Sequence, residues 1–226
     1  MSYSLTVKTA PLVEPLSLAQ AKAFLRVGID DDDAVIQDLI RASREKIEWT
    51  YNRSFMTQSL VLGLDRFVQP GTPTPAYGYP LVGMYNWGPG GMSPWGWMQP
   101  SWSVINLRPP VQSITSITYT DPSGAVQTLN AANYTLDKSE PGRVFPALNK
   151  IWPVTAFIPG CVAIEFISGS TDPNLIPDRM KQALRLTLAA NYENREEYLI
   201  GTRLMVVELP EGVSELMAAY APDLVR

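Results

Sequence analysis

The chain has 226 residues, 46% of them apolar and 18% charged, with a formal net charge of −4; these are values of a folded chain with a sizeable core, not of a disordered one. It contains no His and a single Cys, which excludes Ser-His-Asp and Cys-His catalysis, His-rich metal sites and iron–sulfur clusters. The acidic balance argues against wrapping nucleic acid through its phosphates, no phosphate-cradling glycine motif is present, and no apolar run is long enough to span a bilayer.

The N-terminus, MSYSLTVKTAP, lacks the regions of a signal peptide and Cys161 lies in the apolar run PGCVAIEF, as expected of a chain that folds in a cytoplasm. Residues 3–7 alternate as a short strand. Ser17-Leu-Ala-Gln20 is a capping box opening a first helix that Gly28 ends. Four aspartates, Asp30 to Asp33, precede a second helix over residues 32–51. The calcium-loop spacing is absent, so the expectation is that one Asp caps this helix and the others favour its dipole. Ile36, Leu39, Ile40, Ser43 and Ile47 form its inward stripe, with Arg41, Arg44, Glu45 and Glu48 largely off it.

From Ser59 the pattern becomes that of a strand, SLVLGLDRF. VQSITSITYTDPSGAVQTL then reads as a hairpin around Asp121-Pro-Ser-Gly124, and NYTLD, GRVFPAL and CVAIEFISG are further strands. The expectation is an antiparallel β module made of one sheet folded over itself. Pro177 and Asp178 open a long helix with Met180, Leu184, Leu188 and Tyr192 on one face, Ala183 and Thr187 beside them. A Pro/Gly break precedes a last short helix with Val213, Leu216 and Met217 on one side. The fold class is therefore α+β: a small bundle of two N-terminal and two C-terminal helices with an inserted antiparallel β module. Its parts are residues 1–55 (N-terminal bundle), 56–172 (β module with an aromatic loop at 67–107) and 173–226 (C-terminal helices and tail).

Several of these segments resemble one family. EPLSLAQAKAFLRVGIDDDDAVIQDLIRASREKIEWTYNRSF is similar to the opening of the head–tail connector, or adaptor, proteins of tailed bacteriophages and phage-derived particles. RPPVQSITSITYTDPSGAVQTLNAANYTLD, PGCVAIEFISG, the helix from Pro177 and the tail ELPEGVSELMAAYAP resemble the later parts of its larger members. The resemblance implies a structural, non-enzymatic protein without cofactors, forming a homo-oligomeric, dodecameric ring below the portal and carrying a tail-side stopper or tail-terminator protein. It implies that DNA passes in transit through the ring, and a virion location at the head–tail junction after assembly in the host cytoplasm. It also implies a portal contact at the C-terminus, carried loosely onto Leu216, Met217, Tyr220 and Leu224.

Residues 67–107 contain no Asp, Glu, Lys or Arg, and residues 70–103 hold seven Gly, seven Pro and four of the six Trp. A connection this long inside a compact domain is functional or disordered, and its aromatic content disfavours disorder. Trp87, Trp95, Trp97, Trp102 and Tyr85 are expected to bind a partner, a neighbouring subunit or the tail-side protein. Two readings compete: the loop covers its own β module, or it is an aromatic platform for sugars in a carbohydrate-binding tail accessory protein. A glycosidase would need facing carboxylates, and the nearest to the loop are Asp65 and Asp121.

Overall fold

The computed structural model of the protein describes residues 3–67, 103–194 and 209–220. Its elements in chain order are β1 (Tyr3–Thr9), α1 (Leu18–Leu25), α2 (Asp33–Thr50), β2 (Gln58–Leu64), β3 (Ile105–Asn106), β4 (Val111–Thr120), β5 (Val126–Thr128), β6 (Tyr134–Asp137), β7 (Arg143–Pro146), β8 (Val162–Ser168), α3 (Asp178–Glu193) and α4 (Glu211–Met217). They form two compact units: a β unit built on Met1–Ala10 and Gln58–Ser168, and a helical unit built on Pro11–Thr57 and Gly169–Pro222.

In the β unit, β2 and β8 alternate buried and half-buried residues along their whole length, as the two-residue period of a strand dictates. Their register sets Leu60 opposite Phe166, Leu62 opposite Ile164 and Leu64 opposite Val162, and Ile117 of β4 meets Ile164 from the other side. With Ile105, Leu107, Val144, Trp152 and Phe67 these side chains make one apolar core. The strands form two antiparallel sheets, ordered β1-β2-β8-β4-β5 and β3-β7-β6, not the single folded sheet expected from the sequence. Pro109 and Pro110 account for the difference. Neither has an N–H to donate, so the ladder cannot continue from β3 into β4, and the two strands join different sheets. The Ser168 hydroxyl fastens this crossing by donating to the Arg108 carbonyl at 2.7 Å. The hairpin turn forms as expected: Asp121 Oδ1 accepts from the backbone N–H groups of Ser123 and Ala125, and Gly124 has φ +90°.

In the helical unit, the Ser17–Gln20 capping box is present with both hydrogen bonds made. The helix it opens stops earlier than expected, because Arg26 and not Gly28 takes the left-handed cap conformation, at φ 58°. α2 buries Ile36, Ile40, Ser43 and Ile47; α3 buries Met180, Ala183, Leu184, Thr187 and Leu188. One cluster joins Leu16, Ile47, Phe55, Met180, Leu184, Val213 and Met217, and a smaller one joins Ala21, Ile36, Ile40 and Leu188. Residues 55–57 run beside Ser170: the Ser170 N–H donates to the Phe55 carbonyl and the Thr57 N–H to the Ser170 carbonyl, each at 2.9 Å. Gly169, at φ +104°, sits so close that a Cβ there would overlap the Met56 carbonyl oxygen.

Two further expectations fail in this unit. Asp32 occupies the N-cap position of α2, but its backbone is not extended and its side chain makes no capping bond. Its carboxylate instead accepts from the Tyr192 hydroxyl at 2.6 Å. Arg44 and Glu48, expected off the buried stripe, are both buried, because they neutralise one another and bind Glu14 and the backbone.

Candidate partner-binding surfaces

Four places among the described residues concentrate groups able to bind or to fix a binding element. The first is the charged cluster under α2. Arg44 donates from Nε to Glu14 Oε2 at 2.8 Å and from Nη1 to Glu48 Oε2 at 3.0 Å, with Glu45 at 3.4 Å from Nη2. Glu48 uses its other oxygen to accept the Phe55 N–H at 2.7 Å. Burial opposes the Arg44 charge, but the Glu14 hydrogen bond and the fields of Glu48, Glu14 and Glu45 outweigh it, leaving the guanidinium more basic than usual. Every group here is spent on the fold, so the cluster positions residues 53–57 and offers no vacant chemistry.

The second place is the α1–α2 turn. Lys22 reaches Asp30 and Asp33, each at 2.6 Å, and these bonds raise its pKa while lowering that of Asp30. Among the described residues no group of three or more Cys, Asp or Glu side chains is placed to hold a metal ion. The exposed apolar side chains Ile29 and Val35 flank this turn.

The third place is α4, which lies where the family resemblance implies a C-terminal contact. Val213 and Met217 are fully buried against α3, while Leu216 and Tyr220 lie half-buried at the margin of the same cluster. The Arg53 guanidinium stands 5.2 Å from the Tyr220 ring centroid, a cation–π arrangement. Met217 thus pins the helix, and Leu216 and Tyr220 are the members that keep some accessible surface. Leu224 lies outside the described residues.

The fourth place is the connection from β7 to β8, which sequence reading did not single out. Its Trp152 is buried, but Leu148, Ile151, Val154, Phe157 and Ile158 are exposed, Phe157 almost completely at 97%. The signal available in the sequence is the run IWPVTAFIP, nine residues without a charge and without strand alternation. The expected aromatic contacts Trp87, Trp95, Trp97, Trp102 and Tyr85 lie outside the described residues, as does the rest of the loop between 68 and 102.

Residues 15–75 match the family model described as the phage gp6-like head-tail connector protein. The connector resemblance holds. Three solved structures are similar over nearly the whole chain. A chain in the virion of a native gene transfer agent particle is 21% identical, covers 96% of this chain and 94% of its own, and superposes with a TM-score of 0.62. A chain in the neck of an empty gene transfer agent particle, computed with C6 symmetry, covers the same shares at 18% identity and a TM-score of 0.61. A chain in the neck of a native particle, computed with C12 symmetry, covers 95% and 94% at 21% identity and a TM-score of 0.57. These likenesses establish a shared α+β fold that extends from the connector-like helices through the β unit. No curated protein matches the chain.

Proposed function

We propose that this protein is a structural virion component: a head–tail adaptor whose identical copies form a ring below the portal, connect the capsid to the tail and leave a channel through which DNA passes. The observation that carries this reading is the likeness to a virion chain of a gene transfer agent over 96% of the sequence. The connector family match at residues 15–75 supports it independently. The cyclic symmetry of the two neck particles supports a homo-oligomeric ring. The proposed partners are the portal protein on one side and a stopper or tail-terminator protein on the other, and the proposed location is the head–tail junction of the virion.

The role proposed here is non-enzymatic. For the portal contact we propose the C-terminal end, with Met217 holding α4 to the helical unit while Leu216, Tyr220 and Leu224 face the partner. The carbohydrate-binding alternative has no observation in its favour. Native mass spectrometry of the protein mixed with its cognate portal ring tests the adaptor reading. The expected result is a complex with about one copy per portal subunit, as a shared symmetric ring requires; no complex at any mixing ratio overturns it.

A further inference from the structure

The two described residues that flank the uncharged loop meet at one indole. The Phe67 ring stacks on Trp152, with centroids 4.7 Å apart and planes 4° from parallel, and the Trp152 Nε1–H donates to the Ser103 carbonyl at 2.7 Å. Phe67, Trp152 and Ser103 are all buried, and Tyr119 closes edge-on over Phe67 at 5.9 Å. Phe67 and Ser103, on either side of the loop, are therefore both anchored on Trp152.

Trp152 belongs to the β7–β8 connection, whose other large apolar side chains are exposed. Ile151 precedes Trp152, and Val154, Phe157 and Ile158 follow it, all exposed. The Ala156 N–H donates to the Thr120 carbonyl at 2.9 Å, and Thr120 is paired with exposed Val126, which extends the surface to the tip of the β4–β5 hairpin. Exposed apolar groups in this concentration mark a contact surface.

We propose that this surface is the seat of the same chain's residues 68–102. Those residues carry no charge and contain four Trp, so their composition matches an apolar seat. Both of their ends are fixed beside it, at Phe67 and Ser103. A tethered segment meets a neighbouring surface at an effective concentration of order millimolar, whereas a second copy or a tail protein must reach it by diffusion. The inference stands apart from the adaptor reading, since it concerns the isolated chain and portal binding is a separate readout.

Acrylamide quenching of tryptophan fluorescence in the full-length protein tests it. Trp49→Phe removes the exposed tryptophan of α2; Trp152 is buried, so quenching then reports on the four tryptophans of the loop. The expected result is quenching well below that of a free indole, independent of protein concentration, rising at least about twofold in Val154→Ser/Phe157→Ser as the apolar seat is lost. Hydrogen exchange gives a second measure: replacing residues 72–100 by a Gly/Ser linker should lower amide protection over residues 151–158. Free-indole quenching in the Trp49→Phe protein itself overturns the proposal. Protection that appears only as concentration rises also overturns it, and assigns the surface to a second copy.

Discussion

Arg44 in the helical unit and Arg143 in the β unit each hold a carboxylate at ion-pair distance, 2.8 Å to Glu14 and 2.7 Å to Asp137. Their surroundings differ. The Arg44 side chain is 3% exposed and has Glu14, Glu45 and Glu48 around it; Arg143 is 47% exposed and adds only the Ser139 hydroxyl to Asp137. Distance alone therefore says little about energetic weight. A pair in water gains little because solvent competes for both charges, whereas a buried charge that loses its partner has nowhere to turn. The Arg44 network is built into the interior of the helical unit, whereas the Arg143 pair is a surface detail of the β unit.

The largest test of this contrast is Arg44→Ala, which strands Glu48 in the core and should destabilise the helical unit by about 3–5 kcal/mol in chemical denaturation. A loss below about 1 kcal/mol would place Arg44 in the same class as Arg143. Glu48→Gln keeps an acceptor for the Phe55 N–H and removes one charge, so a smaller loss of about 1.5–3 kcal/mol is expected. A double-mutant cycle with Arg44→Ala should show strong coupling, because the two residues share one network.

The smallest effect is expected at Arg143→Ala: little change in the denaturation midpoint at neutral pH, but a shift in the titration of Asp137. The Ser139 side-chain and backbone donors, then Arg143, hold the Asp137 carboxyl down at about 2, against an ordinary value of 3.8. A carboxyl depressed in the folded state stabilises it above the ordinary value, and that contribution fades as pH falls through 3.8 towards 2. Removing Arg143 should raise the folded pKa only part of the way, since Ser139 remains; carboxyl NMR across this range reads the shift. About 1 M salt, where screening reaches about 3 Å, should reproduce that rise while leaving the Arg44→Ala loss unchanged.

The parts of the fold legible in the sequence are those set by neighbours in the chain. Ser17 and Gln20 are three residues apart and cap their helix; Asp121 to Gly124 carry their turn within four residues; the alternation of β2 and β8 marks both strands. The failures need a distant partner. Arg44 and Glu48, four apart, look like any surface helix pair until Glu14, thirty residues earlier, is brought beneath them. Asp32 reads as a cap until Tyr192 arrives from α3. The division into two sheets was hidden for another reason: Pro109-Pro110 marks a break, but the partners each side takes depend on β7 and β8. Of the candidate surfaces, the helix α4 and its apolar side were legible as structure, whereas the exposed run beside Trp152 has neither helical nor strand periodicity to announce it.

The order of elements along the chain has a consequence for how the protein is made. Leu16 and Ile47 belong to a core whose other walls come from Met180, Leu184, Val213 and Met217. At translation rates of roughly 5–20 residues per second, α1 and α2 stand exposed for many seconds while the β strands emerge. Throughout that interval their apolar stripes are open to chaperones and to other nascent copies. A product truncated after β8 would own the strands of both sheets but only half of a helical core. The last helix among the described residues, α4, is the one that closes the first core begun.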